Sequence, residues 1–489
     1  MKIYVDRGRG KLKKNFIYNL IYQFIQIAIP LIMMPYVSRA LGADTLGVYN
    51  YSYTIASYFL IFSMLGVANY GCRSIAKVQN DRDSRSQVFW SIYRIQFLVA
   101  LIVNVIYIVY AIFWVQRNKI IAMIQILVVL SGMFDINWFY FGIEKFKLTV
   151  IRNVVIKIVT TGLIFLFVKK PKDLILYTFI YALGMLGSQS VVWLFLKKFI
   201  HYKKVSWKNC IEHLKPMVML FVPIIAISLY KYMDKIMLGM MCEYSQVAFY
   251  SNSESIISMP AVITTALGTV ALPRLTALLE NGKKQLSEYY LEVSIQFAMF
   301  LSCAMGFGLA SISDIFVRLY FGKGFEECAT LIFIFFPCVI FQAWASIIRM
   351  QFLLPNAHDK VYIGSVILGA LSNFIINLML IPHLQAVGAV IGTVVAEITV
   401  ALIQTIFSLK YLPILKYLKS TVLYIVVGIM MMFLIDGLKY NFNDGLISLL
   451  LLSVIGGLFF VITSIIINWK AKTALYKCVI TMIKKRANI

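Results

Sequence analysis

The sequence predicts an all-α polytopic membrane protein. It should have about fourteen transmembrane helices, forming two pseudo-symmetric six-helix lobes around a central cavity plus two C-terminal helices. Three observations carry that prediction. The 489 residues are 61% hydrophobic and only 14% charged, with a mean hydropathy of +0.83, whereas soluble domains hold about 25% charged and about 45–50% apolar residues. Apolar runs of about 20 residues, enough to cross a bilayer core, recur along the chain. One of them, 217–241, is interrupted by Lys231, Asp234 and Lys235, whose spacing places all three on one helix face.

In order, the spans fall near 16–38, 48–70, 89–113, 120–141, 151–168 and 174–196, and then near 217–241, 247–270, 291–313, 328–354, 361–381 and 388–409. Two more fall near 420–438 and 446–467. Residues 1–15 are basic and lack the pattern of a cleavable signal, so the N-terminus is expected in the cytoplasm. With that orientation, Lys and Arg in cytoplasmic segments outnumber those in outer loops by roughly three to one, as the positive-inside rule requires. Both termini are then cytoplasmic. The expected organisation is a basic N-terminus 1–15, an N-lobe 16–205, a C-lobe 206–410, helices 13 and 14 within 411–469, and a basic tail 470–489 on the anionic inner surface. Leu41-Gly42 after the first span and Leu238-Gly239 after the seventh read as matching helix stops, which supports a duplicated six-helix unit in parallel orientation.

Other classes are disfavoured. The net charge of +25 resides mostly in short loops and tails and reads as a topology signal, not a nucleic-acid surface. Seven scattered cysteines and four loop histidines show no metal-ligand spacing, so no metal or other cofactor is expected beyond coupling to Na⁺ or H⁺. No outer loop is large enough for the catalytic domain of a sugar polymerase or ligase.

The candidate functional residues lie inside the spans. An ionisable side chain at mid-bilayer costs about 2.5–3.5 kcal/mol on insertion scales, so such groups face protein, water or cargo. The cations are Arg94, Lys157, Lys231, Lys235 and Arg349; the carboxylates are Asp135, Asp234, Glu254 and Glu397. Polar stripes at helical period include Gln23 and Gln26 in the first span and Asn373 and Asn377 in the eleventh. At 1.5 Å per residue, Arg94, Lys157 and Arg349 fall in the cytoplasmic half, Glu397 near the middle and the Lys231 triplet in the outer half. Asp135 and Lys157 fall at similar depth, so an ion pair between them is an alternative to a cargo site. Asp234, Glu254 and Glu397 are candidates for ion coupling or gating, with Asp135 beside them.

Several stretches together resemble the bacterial polysaccharide flippases, the O-antigen and exopolysaccharide branch of the multidrug/oligosaccharidyl-lipid/polysaccharide superfamily. They are Ser38-Arg39-Ala40-Leu41-Gly42 through Tyr49, Tyr70-Gly71-Cys72-Arg73, Asp135-Ile136-Asn137-Trp138 through Glu144, and Ile151-Arg152-Asn153 with Lys157. In the second half they are Asp234-Lys235 through Gly239, Leu272-Pro273-Arg274 and the stretch Asn373 to Pro382. The resemblance implies a carrier of an undecaprenyl-pyrophosphate-linked oligosaccharide between leaflets, with membrane lipids, a polysaccharide polymerase and assembly proteins as partners. A cationic cavity suits such a cargo, because a pyrophosphate cannot enter a low-dielectric interior without compensating charge. The alternative is a multidrug or cation antiporter of the related extrusion branch, which would favour cavity carboxylates.

Overall fold

The computed structural model describes residues 28–443 and 445–486. Gln23 and Gln26 lie outside them. The described chain is helical, and eleven of its helical segments are long and apolar enough to cross a membrane. It divides into two compact units, Met1–Gly239 and Met240–Ile489.

The first unit begins with α1 (Ala28–Leu41) and α2 (Ala43–Met64), separated by Gly42 at φ 76°. A left-handed turn at Leu65 and Gly66 leads into α3 (Val67–Lys77). A side chain at Gly66 would meet the backbone of Met217 and Phe221, so glycine is required there for conformation and for close approach. The third span is α4 (Arg82–Phe113), whose N-cap Asp81 accepts from the amides of Asp83 and Ser84. Those hydrogen bonds hold its carboxyl below the usual range. This contribution to the α4 terminus is therefore present at neutral pH and fades as the pH falls through the lowered value.

The expected fourth span is broken into α5 (Lys119–Ile124), α6 (Ile126–Phe134) and α7 (Asn137–Gly142). It is followed by α8 (Phe146–Phe167), α9 (Leu174–Val191) with the short α10 (Trp193–Leu196), and α11 (Trp207–Met241). The helix α11 packs within this unit: Tyr58 donates to the Ser228 carbonyl at 3.2 Å, and Gly239 lies against the Tyr51 ring. Gly239 therefore sits inside a helix that continues to Met241, and is not the stop read from the sequence. Its small size is used for helix–helix approach, as is usual where backbones meet in membranes.

The second unit comprises α12 (Tyr244–Glu280), α13 (Lys284–Tyr320), α14 (Glu327–Ile348), α15 (Asp359–Ser408), α16 (Ile414–Lys439), α17 (Leu446–Ala471) and α18 (Ala474–Arg486). A π-helical turn at Arg349–Leu353 ends α14. The 50 residues of α15 are interrupted at Gln385 by φ 51° and ψ −128°. Contacts pair its halves about that point: Gly388 with Leu380, Gly392 with Asn377, Ser372 with Thr399, and Ser365 with Gln404. The halves are consequently antiparallel, two spans within one helical segment, and fourteen crossings are compatible with the whole arrangement.

The last helices are not peripheral to this unit. Tyr417, Tyr424, Val427 and Met431 of α16 and Leu452 and Phe460 of α17 share a buried core with Leu291, Met299 and Phe307 of α13. Lys416 bridges Glu292 at 2.7 Å, and Gln296 accepts from the Leu475 amide at 2.8 Å, tying α18 to α13. At Gly392 any Cβ would overlap the Asn377 amide oxygen. The substitution Gly392→Val should therefore destabilise the second unit by about 1–3 kcal/mol through overpacking, read as a lowered thermal midpoint in detergent.

Candidate functional site

Polar side chains gather inside each unit. In the first, the centre is the break between α6 and α7. Asp135 adopts an extended backbone (ψ 100°), which frees carbonyls inside an apolar span. Gln96 of α4, fully buried, closes the gap: its amide nitrogen donates to the carbonyls of Gly132 and Asp135, both at 2.8 Å, and its oxygen accepts from the Trp138 indole at 3.0 Å. Irregular backbone at membrane depth is tolerated where protein groups satisfy it in this way. The Asp135 carboxylate accepts from the Asn137 amide at 2.9 Å, a local turn cap.

Beside the break stands Arg152, only 6% exposed. Its guanidinium donates to the Ser188 carbonyl at 2.5 Å, Asn153 Oδ1 at 2.6 Å, Asn137 Oδ1 at 3.0 Å and Gln189 Oε1 at 3.3 Å. Ser188 and Asn137 are themselves bonded to Asn153 and Gln189, which closes the network over α7, α8 and α9. Arg152 stands in the Ile151-Arg152-Asn153 motif, whose pattern assigns it no role. Its only signal there was position, one turn before Lys157 and directly before the polar stripe of α8. Lys157 lies half-buried on that stripe, while Ile151, Val155, Ile158 and Val159 face outward.

Arg94 meets the segment that precedes α11. Its Nη1 donates to the Val205 carbonyl at 3.2 Å, and its guanidinium stacks over Trp207 at 3.9 Å. Arg82, Arg85 and Trp90, earlier on α4, donate to the carbonyls of Lys197, Phe199 and His201. Together they hold the segment before α11 along the start of α4. Arg94 thus contacts a connecting segment through cation–π and carbonyl interactions.

The Lys231 triplet is divided. Asp234 is buried, Lys235 half-buried and Lys231 exposed, with its ammonium 5.4 Å from the Tyr232 ring. Nearby, Tyr49, Tyr53, Tyr177 and Tyr181 form a ring cluster with centroids 4.6–5.8 Å apart for the pairs involving Tyr49 or Tyr53.

In the second unit, Glu397 is buried and accepts from Gln342 Nε2 at 2.7 Å. Fully buried Asn373 and Asn377 bond each other at 3.2 Å against Gly392, and Thr393 meets the Tyr250 hydroxyl at 2.9 Å. Arg349 opens the π turn, 5.3 Å from the Tyr362 ring and 3.4 Å from Ser346 Oγ. Glu254 is half-buried on α12. Among the described residues no group of three or more His, Cys, Asp or Glu could hold a metal ion.

This arrangement, apolar spans carrying buried polar clusters and broken or π-turned helices, is that of a membrane transporter. The fold agrees. Solved structures similar to it are those titled lipid II flippase MurJ, inward closed conformation (TM-score 0.76, 16% identity, 93% of this chain and 99% of that one), and an outward-facing multidrug resistance MATE family transporter of the MOP superfamily (TM-score 0.51, 14% identity, 82% and 94%). Residues 12–279, more than half of the sequence, match the family described as polysaccharide biosynthesis protein. The chain belongs to that family. Full-length relatives include proteins named "Putative O-antigen transporter" from Escherichia coli (strain K12), 20% identical over 408 residues (82% of this chain, 98% of the relative), and from Shigella dysenteriae, 23% identical over 400 residues (80% and 98%).

Two outcomes follow from the first unit. Arg152→Ala should remove four donated hydrogen bonds and lower the thermal midpoint, at about 1.5–3 kcal/mol for each charge-assisted bond that is not replaced. Arg152→Lys should not restore it, because an ammonium cannot reproduce the planar fork. In a double-mutant cycle of Arg94→Ala and Trp207→Ala, thermal unfolding should give a coupling of about 0.5–2 kcal/mol.

Proposed function

We propose that the protein is a flippase that carries undecaprenyl-pyrophosphate-linked oligosaccharide repeat units from the cytoplasmic to the outer leaflet of a bacterial plasma membrane, for surface polysaccharide biosynthesis. The observation that carries this reading is membership of the polysaccharide biosynthesis family by a chain whose spans hold both cations and buried polar clusters. The names of its relatives support the cargo class. A sugar chain brings many hydroxyls, each of which needs a partner when removed from water, and a flippase must supply those partners from polar side chains within its spans.

In this reading Arg94, Lys157, Lys231, Lys235 and Arg349 are the cations that attract the pyrophosphate. Asp234, Glu254 and Glu397 couple movement to a proton or sodium gradient, with the Gln342 bond orienting Glu397. The prenyl tail stays in lipid, and alternating access carries the head group across.

Deleting the encoding gene from its host should abolish the surface glycan and trap lipid-linked repeat units in the inner leaflet, and the wild-type gene should restore export. Arg349→Ala and Lys157→Ala should restore it at least tenfold less well at equal membrane abundance. An unchanged surface glycan in the deletion strain, with cation or drug export lost instead, would replace this reading with the extrusion alternative.

A further inference from the structure

A cavity of about 300 Å³ lies wholly within the second unit, beside the π turn that Arg349 opens. It is lined by Ser287, Glu288 and Leu291 of α13, by Gln351, Phe352 and Asn356 at and after the π turn, and by His358, Tyr411 and Leu412 at the two ends of α15. Both ends of α15 lie on one side because its halves are antiparallel, so the cavity sits at the same end of the bundle as the α12–α13 connection. The positive-inside count makes that end cytoplasmic.

Gln351 is the informative residue. It is only 2% exposed, and neither its amide nitrogen nor its oxygen has a hydrogen-bond partner among the described residues. The π turn accounts for its position. Leu354 N–H reaches back to the Arg349 carbonyl at 3.0 Å, one residue further than in an α-helix, and this extra residue accompanies the inward placement of Gln351. A buried amide without partners weakens a fold, so its retention points to a ligand. Phe352, His358 and Tyr411 give the same cavity an aromatic wall, with ring centroids 5.5–5.9 Å apart. Glu288 is the one formally charged side chain among the lining residues, which carry no lysine or arginine.

These groups select a ligand chemistry. An anion would meet Glu288 with no cation to offset it. A cation would suit Glu288 and the rings, yet it offers only donors and would leave the Gln351 nitrogen unsatisfied. A neutral ring bearing adjacent hydroxyls, or an acetamido group, supplies both a donor and an acceptor to the amide, a donor to Glu288 and an apolar face to the aromatic wall. The volume is at the lower end of the ~300–1,000 Å³ range of ligand pockets and admits a single sugar ring.

We propose that this cavity is a cytoplasm-facing binding site for one neutral or N-acetylated sugar residue. The sugar belongs either to a free monosaccharide or to the cargo glycan; the second source rests on the flippase reading and the first does not.

The test is binding, which needs no transport. The full-length protein in lipid nanodiscs, free of sugar-based detergent, is titrated with glucose, galactose, N-acetylglucosamine, glucuronate and spermidine, followed by saturation-transfer NMR. A second arm uses the hexyl glycosides of the same neutral sugars. At least one neutral sugar should saturate, with glucuronate at least tenfold weaker. Gln351→Leu should weaken that sugar at least tenfold without lowering the thermal midpoint, because it removes an unpartnered amide, and Tyr411→Ala should weaken it from the aromatic wall. Tighter binding of the glycoside assigns the site to cargo; tighter binding of the free sugar assigns it to a soluble ligand. The proposal is overturned if no neutral sugar saturates, if spermidine alone binds, or if both variants bind sugar as well as the wild type.

Discussion

A polar group inside a bilayer has no water to bond, and the structure of this protein follows from the side chains that replace that water. Gln96 shows the constraint most directly. One amide closes two carbonyls freed at the Asp135 break and holds the Trp138 indole, while Trp138 packs under Gly71 and against Phe89. The broken fourth span is thereby fixed in one geometry, and that geometry sets Asn137 where Arg152 can reach it. Without Gln96 the break would expose backbone to lipid or to a cavity with no defined shape.

The same economy recurs in the second unit with different parts. There the irregularities are the turn at Gln385 and the π turn at Arg349–Leu353. The first folds two spans together so closely that glycine is needed at 388 and 392, and the resulting seam buries Asn373 and Asn377 against each other. The second ends α14 between Arg349 and the cavity that Gln351 faces. In each unit the departure from regular helix is where chemistry-bearing side chains collect, as expected when irregular backbone at membrane depth is tolerated only inside protein or beside a cavity.

Charges obey a related rule. The five cations that the sequence singles out do not form one class in the structure. Arg94 grips a connecting segment, Lys231 is exposed, Lys157 and Lys235 are half-buried, and Arg349 pairs with an aromatic ring and a hydroxyl. Arg152, deeper than Arg94, binds four oxygens at once, as a planar guanidinium does and an ammonium cannot. Sign and depth along a helix therefore describe what a cation could meet, and rotation about the helix decides what it does meet.

The sequence by itself determined the all-helical membrane class, the positions of nearly all the spans, and the family resemblance. Hydropathy over twenty residues and charge in loops are local properties, and the bilayer imposes them whatever the packing. It also named Asp234, Glu397, Asn373 and Asn377 as polar groups that must turn inward, and the structure buries all four. Only the tertiary structure decided their partners. Gln342 on α14 meets Glu397 55 positions later, Gln96 reaches a break 39 positions later, and Arg152 collects acceptors from three helices. It also showed that Gly239 is a packing residue inside a helix, that the last helices share the α13 core, and that a π turn buries Gln351. None of these could be read along the chain, because each depends on the rotation and register of helices far apart in sequence, and those are set by side-chain packing.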